Sequence, residues 1–340
     1  MTDVVLLTGI SGFLGGHVAL ALLEAGFKVR GTVRSKDKAR KVRDALSAQG
    51  ADTSRVEFAT LDLTRDEGWR EAATGCRYIQ HVASPFVTSM PKDKDELIRP
   101  AVEGTARAVN VGLASGADRI VVTSSSVAVY YGHPKSRTRP FNEADWTVLG
   151  QPEVTAYIES KTLAEQKAWA LAEAAGRRDV LVTINPGFIF GPLLDDDPGT
   201  SGALVQRLLK GGFPAAPKIA MPIAHVRDIA AAHVAAMTSP QSGGHRYVVA
   251  ADTLTIKQIS DELRTAVPSH KSKLPRFEAP NWAVRLLAPF DRDIRDNIEE
   301  LGRFRKMDSS LAVRLLGREL IPARQAAKEM GQSLIARGLA

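Results

Sequence analysis

The sequence has little cysteine and no long apolar run. A single cysteine, Cys76, occurs in 340 residues, which excludes an intrachain disulfide. Neither a metal-ligand spacing nor a CxxC pair surrounds it, so we interpret Cys76 as a small buried hydrophobe rather than a catalytic thiol. No apolar stretch approaches the length of a membrane span, and the sequence therefore predicts no transmembrane helix and no membrane partner.

The N-terminal segment also lacks the positively charged residues that begin a secretory signal. Its short apolar run, MTDVVLLTG, leads directly into a glycine-rich loop, so we interpret it as a first β-strand. On this interpretation the expected compartment is the cytoplasm.

Neither sign of charge dominates strongly. Lysine and arginine number 45 against 38 acidic residues, a net charge of +7. This excess permits anionic ligands, but the basic residues do not form one long run, so no nucleic-acid partner is expected. With 44% apolar and 24% charged residues, the composition is that of an ordinary soluble globular protein.

Apolar runs alternate with helical periodicity through the first half of the chain. The predicted strands are Val4–Thr8, Lys28–Val33, 56–61, 78–82, 120–124 and 180–184. The predicted helices between them are 13–25, Lys36–Ala48, 66–73, 94–115 and 154–175. This alternation predicts an α/β fold of the Rossmann type with a doubly wound parallel sheet.

The second half of the chain is less regular. Its predicted elements are a helix at 225–237, a strand at 244–250 and mostly helix over 255–340. We expect a nucleotide-binding Rossmann domain formed by 1–184 plus 224–250. We also expect a smaller, mostly helical substrate lobe formed by 185–223 plus 251–340. The lobe is expected to close a pocket at the carboxyl ends of the strands, where such folds bind ligands.

Glycines follow the first predicted strand at a regular spacing, in TGISGFLGG. Gly9 permits a tight turn, Gly12 lets the backbone approach a pyrophosphate, and Gly15 allows the helix to pack closely on the strand. The helix N-terminus then faces the anion. A glycine turn without a ligand is the alternative, but the strand–helix junction favours a dinucleotide site. Its expected contacts are Gly9, Ser11, Gly12, Phe13, Leu14 and Gly15.

Two further strand ends are candidates for contact with a dinucleotide. Asp62, followed by Leu63, could accept a hydrogen bond from an adenine amino group, or it could cap a helix from Thr64 onward. The small residues after the fourth predicted strand would let the backbone lie along the cofactor, or they form a plain strand-to-loop transition. These residues are Val82, Ala83 and Ser84.

Tyr157 and Lys161 are spaced four residues apart, on one face of a predicted helix. An isolated tyrosine titrates at about pH 10, and a neighbouring ammonium stabilises the phenolate and lowers that pKa, which suits proton transfer. The hydroxyl-rich segment VVTSSS ends the fifth predicted strand, at the edge shared with the glycine loop. A serine there could polarise a substrate carbonyl, or its hydroxyl could bond only local backbone.

In this order, the motifs resemble the extended short-chain dehydrogenases/reductases. They are most similar to the branch containing dihydroflavonol reductase, cinnamoyl-CoA reductase and yeast-type methylglyoxal and carbonyl reductases. The matching segments are TGISGFLGGHV, TVRSKDK, LDL, HVASPF, VVTSSS, YIESKTLAEQKAW, NPGFIFGP and HVRDIAAAHV. The C-terminal part of the chain matches only in length and helical character.

The resemblance implies a role for each matched residue. Tyr157 would donate a proton to the carbonyl oxygen, and Lys161 would lower the tyrosine pKa and bind the nicotinamide ribose. Ser125, with Ser126 as the alternate, would orient the carbonyl. The residues that would border the nicotinamide are Pro186, Gly187 and Phe188. The residues expected to contact substrate are Phe86, Ser126 and Tyr130.

Arg34 ends the second predicted strand, where the adenosine ribose is expected to lie. Dinucleotide folds often place an acidic residue there to hold a ribose hydroxyl. A guanidinium instead binds a 2′-phosphate through paired hydrogen bonds, and the resemblance adds Lys38 as a second contact. The expected cofactor is therefore NADPH/NADP+. The remaining cations of this stretch are interpreted as a solvated helix face, namely Lys36, Arg40 and Lys41.

Some residues depart from the family pattern or invite a different function. Ala101 stands where many relatives have Asn, which puts a fourth polar catalytic residue in doubt. The polar segment 132–146 is expected to wall the substrate site. His225 and Asp228 provide only two metal ligands at a predicted helix start, so we interpret them as structural and expect no metal.

The leading hypothesis is therefore an NADPH-dependent reductase of an aldehyde or ketone, reversible as an alcohol dehydrogenase. The alternatives are an NAD-dependent nucleotide-sugar epimerase or dehydratase on the same fold, and a non-catalytic NADP-binding module. The expected partner is a small carbonyl or alcohol substrate. A monomer and a homodimer are both compatible with the sequence.

Overall fold

The strands and helices are taken from a computed structural model that describes residues 3–85, 93–290, 295 and 297–340. The strands β1 to β10 are Val4–Thr8, Lys28–Val33, Val56–Thr60, Tyr78–His81, Arg119–Thr123, Leu181–Pro186, Phe188–Phe190, Ala220–His225, Arg246–Val249 and Asp252–Thr255. The helices α1 to α12 are Phe13–Glu24, Lys36–Ala48, Trp69–Ala73, Asp95–Ala114, Val127–Tyr130, Ala156–Ala174, Gly199–Leu209, Val226–Thr238, Ile256–Ala266, Asn281–Leu287, Ser310–Leu316 and Ala323–Ala336.

Seven strands form the main sheet, in the order β3-β2-β1-β4-β5-β6-β9. Every neighbouring pair in it runs parallel, so all seven strands end at the same edge. The strand order reverses between β1 and β4, which leaves a crevice outside their carboxyl ends. The predicted Rossmann-type α/β fold with a doubly wound parallel sheet is confirmed.

The central strand β1 shows how the sheet acquires a core on both faces. Val5 and Leu7 belong to the apolar cluster under α1 and α8, whereas Leu6 belongs to the cluster under α4 and α6. All three side chains are fully buried. Because successive side chains of a strand point to opposite faces, a continuous apolar run predicts this three-layer arrangement.

The other three strands form a second sheet, in the order β10-β8-β7. Strand β8 pairs antiparallel with β10 and parallel with β7. Helices α7, α9 and α12 contribute to a separate apolar cluster with this sheet, which includes Phe190, Leu208, Met221, Leu254, Leu263 and Met330. Helix α11 packs instead on α8 and β9, and its Ala312 joins the cluster of the main sheet.

The structure differs from the sequence prediction in helix α7, which was not predicted in the proline- and glycine-rich stretch 185–223, and in several short elements. The helix expected at 66–73 begins only at Trp69, because Gly68 precedes it in a left-handed conformation (φ +84°). Helix α5 and strands β7, β8 and β10 were not predicted, since three to six residues show too little periodicity. Within the described ranges, no helix is both long enough and apolar enough to cross a membrane.

Two close approaches of the backbone fix the turn between β1 and α1. A Cβ on Gly15 would lie 1.9 Å from the carbonyl oxygen of Gly9. Gly9 has a φ of +74°, and a Cβ there would lie 2.7 Å from the Cα of Ala83, which follows β4. Only glycine fits at either position, so the loop after β1 and the segment after β4 touch at the crevice.

We expect Gly15→Ala to destabilise the fold by about 1–3 kcal/mol, because the added methyl group must displace the Gly9 carbonyl. Urea unfolding measures this loss. Gly12→Ala is the matched control, since its Cβ would meet only the Gly9 carbonyl oxygen, at 3.6 Å. Its expected cost is below about 1 kcal/mol. Equal losses in the two variants would contradict the steric account.

Candidate active site

Helix α6 carries Tyr157 and Lys161 in its first turns. Thr155 is its N-cap, and the threonine side chain accepts a hydrogen bond from the backbone N–H of Ile158. The spacing of four residues places the Lys161 Nζ atom 5.8 Å from the centre of the Tyr157 ring. Both side chains therefore lie on the same face of the helix, one turn apart.

Ser125, two residues after β5, has its hydroxyl within interaction range of the Tyr157 side chain and also accepts a hydrogen bond from the Val127 N–H at 3.3 Å. Burial raises the pKa of Tyr157, and the Ser125 hydroxyl lowers it by a smaller amount. The tyrosine still keeps 38% of its surface exposed, so a ligand can reach it although the dense surroundings raise its pKa. A phenol with a raised pKa stays protonated at neutral pH and can donate a proton.

Lys161 also has a hydrogen-bond partner outside α6. Its Nζ donates a hydrogen bond to the Ser84 hydroxyl at 2.8 Å. Burial lowers the pKa of Lys161 to about 8. The ammonium thus connects α6 to the segment after β4, whereas the hydroxyl of Ser125 is the group that lowers the tyrosine pKa.

The two serines that flank Ser125 have partners of their own. The Ser124 hydroxyl donates to the Glu165 carboxylate at 2.6 Å, and both groups are buried. The Ser126 hydroxyl lies beside the side chain of Tyr130, and burial raises the pKa of that tyrosine to about 12. Of the three serines, Ser125 is therefore the one that lies next to Tyr157.

The glycine loop offers the shape that a dinucleotide pyrophosphate requires. A Cβ on Gly12 would meet only one atom within 4 Å, the Gly9 carbonyl oxygen at 3.6 Å, so one side of the loop is open. Gly12 is also the N-cap of α1 and provides no side-chain cap. Backbone N–H groups at such a helix start can bind an anion, and the loop residues fit the cofactor expected from the sequence.

Arg34 and Lys38 are exposed where β2 leads into α2. Ser35 caps this helix by accepting a hydrogen bond from the backbone N–H of Lys38. Two other cations of the same stretch have protein partners, since Arg30 pairs with Glu57 and Arg40 pairs with Asp37.

Asp62 adopts the capping role that the sequence left open. One of its carboxylate oxygens accepts hydrogen bonds from the backbone N–H and the hydroxyl of Thr64, both at 2.8 Å. These bonds hold the pKa of Asp62 below its ordinary value, with Arg65 and Arg34 adding to the effect. The cap begins a turn rather than a helix, since α3 starts only at Trp69. Leu63 lines a cavity that reaches Lys161.

That cavity extends from the crevice down between α4 and α6. The residues around it include Ala83, Ser84, Ala101, Thr123, Lys161 and Glu165. Ala101 is buried and contributes a methyl group to this cavity.

The remaining expected contacts lie around the same edge. The Pro186 carbonyl at the end of β6 accepts a hydrogen bond from the Ser126 N–H at 2.8 Å. A Cβ on Gly187 would lie 2.5 Å from the Pro222 carbonyl oxygen, so this position also requires glycine. Phe188 begins β7. Val82 is half-buried. Phe86 lies outside the described residues.

Segment 132–146, expected to wall the substrate site, is folded around Asp145. The Asp145 carboxylate accepts hydrogen bonds from Arg137 and Arg139. Phe141 forms a bridge to Met307 of the C-terminal region.

His225 and Asp228 have structural partners. The ring of His225 caps α8 by accepting a hydrogen bond from the Arg227 N–H, and its other nitrogen faces Glu329 at 3.2 Å. Asp228 pairs with Arg318 at 2.7 Å. In the part of the chain that the structure describes, no three His, Cys, Asp or Glu side chains are grouped as metal ligands.

Sequence reasoning missed three buried polar residues, Glu165, Asn185 and Arg246. Glu165 is only 1% exposed and accepts hydrogen bonds from Asn185 (2.7 Å) and Arg246 (2.7 Å). In the sequence, Glu165 looks like a surface residue of a polar helix. The sequence did contain one indication of its role. Glu165 follows Lys161 by four residues, which places it on the same helix face as Tyr157 and Lys161.

A doubly wound parallel sheet with a glycine loop at its switch point, and Ser125, Tyr157 and Lys161 at the same edge, defines an NAD(P)-dependent oxidoreductase. Residues 5–250 match the profile of the NAD dependent epimerase/dehydratase family, and the chain belongs to this family, the extended short-chain dehydrogenases/reductases.

Curated relatives place the chain more closely. Tetraketide alpha-pyrone reductase 2 of Arabidopsis thaliana is 32% identical over 309 residues, which covers 87% of this chain and 91% of the relative. Dihydroflavonol 4-reductase of Zea mays is 31% identical over 273 residues, 78% of this chain and 75% of the relative. The predicted resemblance to the dihydroflavonol reductase branch is confirmed.

A solved structure shows the same fold over the whole chain. The yeast methylglyoxal/isovaleraldehyde reductase Gre2, crystallised with NADPH, superposes with a TM-score of 0.80. The match covers 99% of this chain and 100% of that one, at 24% identity.

We expect Lys161→Met to stabilise the protein without cofactor by up to about 3 kcal/mol at neutral pH, because it removes a half-buried ammonium whose surroundings lower its pKa. The folded-state pKa of about 8 lies below that of an unfolded lysine. The cost of burial is therefore fully present below about pH 8 and fades as the pH rises towards about 10. Urea unfolding at about pH 7 and about pH 9.5 should show the advantage shrinking.

The control for this measurement is Lys167→Met, which removes an exposed lysine of the same helix. Its effect on the free energy of unfolding should not change between the two pH values. A Lys161→Met variant that is less stable than the native protein at both pH values would contradict the assignment of a half-buried, destabilising ammonium.

Proposed function

We propose that the protein reduces an aldehyde or ketone to the alcohol with NADPH, and that the reaction is reversible. The observation that carries the proposal is the contact of Ser125 with Tyr157 beside Lys161, at the edge where the glycine loop opens. The reductase relatives support the same chemistry. Retention of all three side chains argues against a non-catalytic NADP-binding module.

Residues at both ends of the crevice would hold the cofactor. The glycine loop and the start of α1 would bind the pyrophosphate. Arg34 and Lys38 would bind the 2′-phosphate of the adenosine ribose. Lys161 and Pro186 would lie at the nicotinamide end. When bound there, NADPH supplies the hydride from C4 of its nicotinamide.

The protein side chains would complete the reaction at the carbonyl oxygen. The Ser125 hydroxyl would hold this oxygen, and the Tyr157 phenol would donate its proton to it as the alcohol forms. Burial raises the pKa of Tyr157, so the phenol is protonated at neutral pH before the reaction begins. This protonation state favours the direction of reduction, since oxidation of an alcohol requires the phenolate as a base.

The substrate would enter between the sheet edge and the second lobe, which we propose is formed by 185–223 and 251–340, apart from α11. The separate apolar cluster around β7, β8 and β10 supports this division. Aldehydes, ketones or small diketones, aromatic ones included, are the proposed substrate class. The names of the relatives, a pyrone reductase and a dihydroflavonol reductase, support ring-containing members of this class.

We expect Tyr157→Phe to lower kcat for carbonyl reduction about 10²- to 10⁴-fold, because the variant cannot donate the proton. NADPH binding should be retained, since the ring remains in place. The assay is NADPH oxidation against a panel of aldehydes and ketones, with NADPH binding followed by fluorescence. A variant that reduces carbonyls at the native rate would exclude the proposed proton donor.

We expect Arg34→Asp to raise the KM for NADPH about 10- to 100-fold while the KM for NADH changes little, because the carboxylate repels the 2′-phosphate. Lys41→Asp is the control, since it makes the same change of charge at an exposed position farther along α2. Equal effects of Arg34→Asp on both cofactors would remove the phosphate role. Purification with tightly bound NAD would favour the epimerase alternative instead.

A further inference from the structure

Glu165 is a buried charge one helical turn beyond Lys161. It lies on α6, is 1% exposed, and lines the cavity that Lys161 also borders. A carboxylate without partners at such a place would be strongly unfavourable. Its retention therefore depends on the groups that surround it.

Arg246 of β9 provides the opposite charge. Its Nε donates to one Glu165 oxygen at 2.7 Å, and an Nη donates to the other oxygen at 3.3 Å. The other Nη donates to the carbonyl oxygens of Glu143 (2.8 Å) and Asp145 (2.6 Å). The guanidinium also lies 3.7 Å from the centre of the Trp146 ring. The ion pair thus connects α6 to the end of segment 132–146. In the sequence this segment lies between Ser125 and Tyr157.

Four further side chains donate hydrogen bonds to Glu165, namely Ser124, Asn185, Thr183 and Trp169, and the first two lie at or contact the strand end that carries Ser125. The Ser124 hydroxyl donates to it at 2.6 Å, and the Asn185 side-chain amide donates at 2.7 Å. The same Asn185 amide also donates to the backbone carbonyl of Ser125, at 3.2 Å. One carboxylate on α6 is therefore bonded directly to Ser124 and, through Asn185, to the backbone carbonyl of Ser125.

We propose that Glu165, neutralised by Arg246, is a positioning residue that holds Ser125 in register with Tyr157 and Lys161. The inference rests on the proposed function and deepens it. Tyr157, Lys161 and Glu165 occupy successive turns of one helix, so a shift of Glu165 relative to Ser124 would change the Ser125–Tyr157 contact. Because hydrogen bonds to a charged acceptor are strong and directional, the carboxylate suits this task better than an amide.

Stability alone does not account for this arrangement. Buried ion pairs contribute little net stability compared with apolar side chains of the same volume, since both charges lose their hydration. Here two hydrogen bonds of the carboxylate come from Ser124 and Asn185 at the serine strand end, and two of the guanidinium reach the loop that follows it. The geometry relates the pair to the catalytic side chains.

The test is Glu165→Gln, which keeps the shape of the side chain but replaces one acceptor oxygen by a donor amide. We expect kcat to fall about 10- to 100-fold, because the Ser125–Tyr157 contact is misaligned. The Kd for NADPH should stay within about twofold, since the cofactor contacts are unchanged. The concentration of folded enzyme is taken from the NADPH binding stoichiometry. A folded variant with native kcat would overturn the proposal.

Two milder variants, Ser124→Ala and Asn185→Ala, keep the ion pair and decide the question if Glu165→Gln does not fold. We expect each to lower kcat about 3- to 30-fold at an unchanged Kd for NADPH. The loss in the double variant should be smaller than the product of the two, because both residues act through the same carboxylate. Native kcat in both single variants would refute the positioning role.

Glu262→Gln is the matched control for the loss of a carboxylate. Glu262 is 14% exposed and pairs with Arg324 and Lys328, between α9 and α12. The kcat of the Glu262→Gln variant should remain within about twofold of the native value. A loss as large as that of Glu165→Gln would assign both effects to stability and overturn the proposal.

Tyr157→Phe separates this proposal from the proposed function. Native activity in Tyr157→Phe would remove the proposed chemistry itself. An inactive Tyr157→Phe together with a fully active Glu165→Gln would remove only the positioning role.

Discussion

Parallel pairing of the strands brings together residues that are far apart in the sequence. Since all seven strands end at one edge, the glycine loop after β1, the segment after β4 and the serines after β5 become neighbours. The approach is closest between β1 and β4, where Gly9 lies against Ala83. Thr8 reinforces this approach, because its hydroxyl accepts a hydrogen bond from the Ala83 N–H at 3.2 Å. The crevice is therefore already shaped by the sheet before any side chain of α6 is considered.

Helix α6 adds polar groups to this edge at a cost in stability. Lys161 is an ammonium in surroundings that lower its pKa, and Glu165 is a carboxylate in the core. The two groups are stabilised differently. Glu165 has a buried counter-charge in Arg246, whereas Lys161 has the neutral hydroxyl of Ser84. The protein thus compensates the positive charge of Lys161 only in part, as expected for a group whose partner is a bound ligand.

The sequence was sufficient for the fold and for the location of the site, but not for its internal contacts. Strand alternation and the glycine spacing predicted the sheet, because these patterns depend on local chemistry. The partner of each serine could not be predicted, since Ser124, Ser125 and Ser126 are chemically identical and differ only in the direction that the chain takes after β5. Glu165 was missed for a related reason. Its burial depends on Arg246, which is 81 residues away, and no local pattern records that pairing.

The proposed roles of Arg34 and Tyr157 would allow cofactor preference and chemistry to vary separately. The family is named for NAD, whereas the yeast reductase with the same fold was crystallised with NADPH. Arg34 is exposed at the end of β2, and its replacement would disturb little packing. Tyr157, in contrast, has its pKa raised by burial and lowered by the neighbouring hydroxyl of Ser125. Because the proposed phosphate contact is outside the core, it can change without altering the proton donor, so the two properties require separate experimental evidence.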